Sequence, residues 1–280
     1  MTKTTSAAIL ALAALASANP VLAAKSDSPP PAPPAAYADL ADLADGAPLV
    51  LRAQVRKVAA IDRAGAAGLR AGQGRFYVEA RTELLYAGQR AVGEALRYLV
   101  DLPLDPKGKP PALKKQSVLL FARIVPGRPG ELQLVAPDAQ LPWNPASEAR
   151  LKGILQALYA ADAPHKVTGV REAIHVPGNL AGEGETQLFL STANGEPAAV
   201  AISRSPGQPV RLSVSFSEVL GEPTGAPAPN TLAWYRLACF LPPVLPVAAN
   251  ISEGESSRMA AGADYRYLLD QLGPCPRNRK

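Results

Sequence analysis

The chain has two histidines, so any imidazole-based chemistry runs through His165 or His175. His175 is followed by Glu183 and Glu185 across what reads as a hairpin loop. An imidazole and two carboxylates form a donor set for a divalent cation. Opposed residues share a sheet face in one register only, and a register pairing His175 with Thr186 turns Glu185 to the other side. Glutamates beside glycines in a loop are usually solvated, so His175, Glu183 and Glu185 stand as candidate ligands and no metal is expected. His165, between Pro164 and Lys166, reads as an exposed loop residue.

A serine hydrolase needs a nucleophile beside one of these histidines and a carboxylate to orient the base. Neither Gly-x-Ser-x-Gly nor Ser-x-x-Lys occurs, and there is no His-Glu-x-x-His for a zinc protease. Gly72-x-Gly74 and Gly182-x-Gly184 lack the third glycine and the strand-to-helix setting of a dinucleotide loop, so no cofactor is expected. A basic loop carries Lys107, Lys109, Lys114 and Lys115, interrupted by Pro106, Pro110 and Pro111. It is the candidate binding segment for an anionic partner. Nucleic acid is not expected as that partner, because single-strand binders interleave cations with exposed aromatics and only 5% of this chain is aromatic.

These residues must be held by folded elements, and the composition allows them. A chain of 280 residues, 48% hydrophobic and 19% charged, is long and apolar enough to bury a core. Its 29 prolines rule against long coiled coils. Period-two alternation marks a strand at Leu49 to Val58, with Leu49, Leu51, Ala53 and Val55 on one face and Arg52, Gln54 and Arg56 on the other. A second places Phe76, Val78, Ala80, Thr82 and Leu84 opposite Tyr77, Glu79, Arg81 and Glu83, and a third aligns Leu96, Tyr98, Val100 and Leu102. The apolar run Val118 to Val125, closed by Pro126-Gly127-Arg128-Pro129-Gly130, returns through Leu132 to Val135 as a hairpin. Five strands without an intervening helix predict a small antiparallel barrel, closed or nearly so.

The pattern changes at Asn144-Pro145, an N-cap with proline at the first helical position, followed by Leu151, Ile154, Leu155 and Leu158 on one helix face. Strands follow at Val167 to Val176, Glu185 to Thr192, Ala198 to Arg204 and Val210 to Val219, with a tight Asn194-Gly195 hairpin between the middle two. Helices are predicted from Asn230 or Thr231 to before Pro242, and from Ser256 to Leu272. Trp143 is expected between the two halves, and Trp234 and Tyr235 in helix packing. The fold class is therefore α+β: a five-stranded barrel domain over 37–143, then an α+β domain over 144–280 with a four-stranded antiparallel sheet and C-terminal helices.

Ahead of them, Lys3 and the apolar stretch Ala7 to Ala16 lead to Val21-Leu22-Ala23, which reads as an export signal over 1–23 cut before Ala24. The apolar stretch is too short to cross a bilayer, so no transmembrane anchor is expected in the mature chain. Residues 24–36, with Pro29, Pro30, Pro31, Pro33 and Pro34, read as an extended linker. An oxidising compartment favours a bridge between the two cysteines, Cys239 and Cys275.

With its short helix at Tyr37 to Ala44, its strands Leu49 to Val58 and Phe76 to Tyr86, and its hairpin Val118 to Val135, the first half resembles the OB-type barrel of netrin-like and metalloprotease-inhibitor-like modules. That resemblance implies a binding or inhibitory role without a catalytic residue. The second half, with Val176-Pro177-Gly178-Asn179 and Gly182-Glu183-Gly184-Glu185-Thr186, resembles uncharacterised exported bacterial proteins. The expected function is a periplasmic or secreted, non-catalytic binding or assembly module of the cell envelope. Its partner would be an envelope protein or an anionic envelope component; the alternative is a periplasmic hydrolase with its site in the cleft between the two halves.

Overall fold

A computed structural model describes residues 34–62, 66–217 and 225–279. The segment read as an export signal, 1–23, and residues 24–33 of the expected linker lie outside the described residues. The chain from Pro33 to Lys280 forms one compact unit. Its order is α1 (Tyr37–Gly46), β1 (Leu49–Ala60), β2 (Gln73–Gly88), β3 (Ala95–Pro103), β4 (Ser117–Ile124), β5 (Leu132–Leu134), β6 (Gln140–Pro142) and α2 (Pro145–Leu158). There follow β7 (Val167–Pro177), β8 (Gly184–Thr192), β9 (Ala199–Arg204), β10 (Arg211–Ser215), α3 (Leu232–Ala238) and α4 (Gly254–Leu272). No helix among the described residues is long and apolar enough to cross a membrane.

The alternation of the first strands becomes an antiparallel sheet ordered β3-β2-β1-β4-β5, with β6 also pairing β4. Leu49, Leu51, Ala53 and Val55 are buried, as are Leu96, Tyr98, Val100 and Leu102 across the sheet. Strand β4 is buried at Val118, Leu119, Leu120, Phe121 and Ala122 in succession, which explains its unbroken apolar run. The second strand departs from its expected face at one end. Irregularities in the β1–β2 register between Val50 and Leu51 and between Arg52 and Ala53 shift the pleat, and Leu84 is 38% exposed rather than buried.

The expected five-stranded barrel does not close, and the sheet has a sixth strand. Strands β3 and β5 meet through a single parallel bridge, Arg97 to Glu131, in place of a ladder. Two backbone hydrogen bonds flank the seam: Arg97 N–H donates to the Gly130 carbonyl at 2.8 Å and Asp101 N–H to the Pro137 carbonyl at 2.7 Å. Gly130 makes the approach possible. Its φ of +78° lies in the left-handed region, and a Cβ there would stand 2.7 Å from the Ala95 carbonyl oxygen. β5 is three residues long against nine in β3, so most of the β3 edge has no strand to pair with.

The second sheet is an antiparallel meander ordered β10-β9-β8-β7. Helix α4 packs on β7 and β8 through Ala261, Asp264, Tyr265, Leu268 and Leu272, whose spacing makes one face. Asn144 caps α2 by accepting from the Ser147 N–H, and Thr231 caps α3 by accepting from the Trp234 N–H. Trp234 and Tyr235 are buried as expected, with the Trp234 indole donating to the Leu272 carbonyl at 2.7 Å. Cys239, just after α3, is bridged to Cys275, just after α4.

Candidate functional site

The seam between β3 and β5 opens outward into a cleft of about 670 Å³. On β3, Leu96, Tyr98 and Val100 turn into the core, so Arg97, Leu99 and Asp101 must point out. Leu99 is 48% exposed at the cleft floor. Arg97 and Asp101 use their N–H groups across the seam, so backbone groups of this alternate set face away from β2. The Leu99 N–H and C=O therefore point into the cleft, where β5 supplies no continuing ladder.

Charge in the cleft is unequally compensated. Arg75 forks onto Asp101, its Nε and Nη2 lying 2.7 and 2.9 Å from the carboxylate oxygens, and this hydrogen-bonded pairing raises the arginine's pKa further. Arg128 pairs with Glu131 at 3.3 Å. Arg97 and Arg123 also line the cleft, both exposed, and no carboxylate among the described residues is within ion-pair distance of either. Tyr77, Gln133 and Val125 complete a mixed wall. A concave surface with two uncompensated guanidinium groups can hold an anion through charge-assisted, bidentate hydrogen bonds.

Sequence reasoning missed these arginines because each is an isolated cation: Arg75 and Arg97 lie on strands β2 and β3, Arg123 near the end of the apolar run of β4, and Arg128 in the turn that follows it. The polar-face placement was readable for Arg75 and Arg97. What brings them to Arg123 and Arg128 is the β3–β5 seam, which depends on non-local register.

The expected basic segment is placed elsewhere. Asp105 accepts from the backbone N–H groups of Lys107 and Lys109 at 2.9 and 2.7 Å, shaping the turn between β3 and β4. Lys107, Lys109, Lys114 and Lys115 are exposed there, and none lines the cleft.

The candidate metal ligands are not brought together. His175 pairs with Thr186, and Glu185 lies beyond it on the opposite face, accepting from Gln187 at 2.7 Å and Ser203 at 2.9 Å. Glu183 folds into its own loop and accepts from the Asn179 and Leu180 N–H groups at 3.0 and 3.2 Å. Among the described residues, no group of three His, Cys, Asp or Glu side chains is placed to hold a metal ion. His165 is beside Asn194, 3.3 Å away.

His175 instead belongs to a buried polar chain. The Thr186 hydroxyl donates to Asp264 Oδ2, and His175 Nδ1 is 2.8 Å from the same hydroxyl oxygen. Since that hydroxyl's one hydrogen is committed, Nδ1 is the donor to it. Arg204 Nε completes the chain at 2.5 Å from Asp264 Oδ1. Histidine, hydroxyl and carboxylate thus meet, yet Thr186 is 0% exposed and none of the three lines the cleft. The arrangement fastens α4 to β7, β8 and β9. No protein-family model matches the chain, and no curated protein matches it.

Proposed function

We propose that this chain is an exported, non-catalytic binding module of the cell envelope, and that it takes an anionic envelope component in the β3–β5 cleft. The observation that carries the reading is the pair Arg97 and Arg123, exposed in a concave site without acidic partners among the described residues. Arginines in such a position are desolvated at little cost when a carboxylate or phosphate arrives, and they match its geometry. The strand order, with β3 approaching β5 in parallel, supports the likeness to a partly open OB-type sheet, whose second and third strands present the ligand face. The bridged cysteines support an oxidising location, and with it the export signal read over 1–23.

Two measurements test this. Chain recovered from its native envelope is expected to begin at Ala24; retention of Met1 removes the export argument. The immobilised chain is expected to capture an anionic component from envelope extract, released by salt and absent when both Arg97 and Arg123 are replaced by Ala. Equal capture by the double variant overturns the reading.

A further inference from the structure

Arg123 lines a second concavity as well, of about 200 Å³, which it shares with Arg90 and Gly88 at the β2 end and with Pro48 and Leu49. Arg90 is exposed and, like Arg123, has no carboxylate within ion-pair distance among the described residues. Three uncompensated guanidinium groups therefore follow one another over the outer face of the first sheet: Arg97, Arg123, Arg90. Arg97 and Arg123 sit on strands separated by β5, opposite Glu131 and Gln133 respectively, so their backbones are at least two strand spacings, roughly 10 Å or more, apart. One small anion cannot engage both while also reaching Arg90.

Resting on the cleft reading above, we infer that the ligand is a linear acidic polysaccharide that runs from the seam cleft over Arg123 into the second concavity. The spacing asks for repeated anionic groups along a chain. The groups between the arginines ask for hydroxyls: Glu131 and the Gln133 amide offer acceptors, and the Leu99 backbone offers both a donor and an acceptor. A polyphosphate backbone has no hydroxyl hydrogen to give them. A single-stranded nucleic acid gains most from serial aromatic stacking, and Tyr77 is the one aromatic side chain the cleft presents outward, Tyr98 being buried with its hydroxyl on Gln140. A uronate chain supplies carboxylates and hydroxyls together.

The test is titration of the full chain with trigalacturonate, long oligogalacturonate and neutral galactan. Affinity is expected to rise roughly tenfold from the short to the long uronate, to fall with salt and to be absent for galactan. Arg90→Ala should remove the gain with length and leave trigalacturonate binding unchanged. Arg97→Ala should weaken both uronates roughly tenfold, the loss of one charge-assisted hydrogen-bonding group. Equal affinity for short and long uronate, with no effect of Arg90→Ala, overturns the extended track while leaving the cleft. Wild-type behaviour of Arg97→Ala overturns both, whereas no uronate binding at all overturns the polysaccharide while the cleft reading stands or falls on its own capture test. Tighter binding of inorganic polyphosphate than of oligogalacturonate overturns the carbohydrate class.

Discussion

Arg236 of α3 forks onto Asp45 at the end of α1, with Nη1 and Nη2 each 2.9 Å from a carboxylate oxygen and the arginine side chain 5% exposed. The pair joins the helix that precedes the first sheet to the helix that follows the second. Burial opposes ionisation of Asp45, but the hydrogen bond and charge of Arg236, with Lys166 adding its own, hold the carboxyl below its ordinary value. A lowered folded-state pKa means the stabilisation is present above the ordinary carboxylate range and is lost as pH falls through the lowered value.

Asp45→Asn should therefore leave a buried guanidinium uncompensated and cost about 3 kcal/mol at neutral pH. Urea unfolding at neutral pH and again below about pH 3 checks this. The wild type and the variant should differ widely in the first and converge in the second; a gap that persists in acid would mean the pair is not the cause.

The disulfide holds more than two helices. Beyond Cys275, Arg277 pairs with Asp42 at 2.7 Å, and the backbone N–H groups of Asn278 and Arg279 donate to the buried Asp39 carboxylate at 3.0 and 3.1 Å. Closing the intervening loop, a sequence separation of 36, removes denatured-state entropy worth about 4 kcal/mol in the chain-entropy model. Cys275→Ser should release the C-terminal segment from α1 and make it the first site of limited proteolysis. The denatured, unreduced wild type should show no titratable thiol.

Much of this architecture was legible in local pattern. Alternation placed β1, β3 and three strands of the second sheet; the fourth, expected over Val210 to Val219, ends at Ser215, with residues 218 and 219 outside the described residues, and the caps at Asn144 and Thr231 placed two helices, because pleat, periodicity and capping are properties of neighbouring residues. The end of β2 was not legible, since the shift that exposes Leu84 arises in the register with β1. The seam was not legible either. It requires Gly130 to meet Ala95, and the short reach of β5 to leave β3 unpaired, neither of which is encoded in any one window. Lys107 to Lys115 drew attention as a charge run, whereas the uncompensated arginines are scattered and become a group only in three dimensions.

The first sheet's faces can be tested by one contrast. Leu51 is 0% exposed between β2 and β4, while Gln54, three positions on, lies on the half-buried polar face. Leu51→Asp should destabilise by several kcal/mol, because it places a carboxylate in the core without a partner, and Gln54→Asp should change little. Equal melting temperatures for the two variants would contradict the burial of Leu51.

Gly184 opposes Pro177, and a Cβ there would stand 2.8 Å from both Cε1 and Nε2 of His175. Its φ is not in the left-handed region, so space rather than backbone freedom is what the position demands. The imidazole must yield if a methyl group is added, and moving it breaks the Nδ1 contact to Thr186 while Thr186 keeps Asp264. Gly184→Ala is thus expected to cost about 1–3 kcal/mol through overpacking and to shift the His175 Nδ1 resonance in nitrogen NMR. The Asp264–Arg204 pair should persist, because the atoms nearest the added carbon belong to His175 and to the Val176 carbonyl, not to either of these residues. His175→Gln in the same background should recover part of the loss, since the longer, flexible amide can move aside without leaving a ring against the new methyl group. If Gly184→Ala instead melts with the wild type and leaves the Nδ1 resonance in place, the imidazole does not lie over Gly184 and the tautomer assigned from that contact chain falls with it.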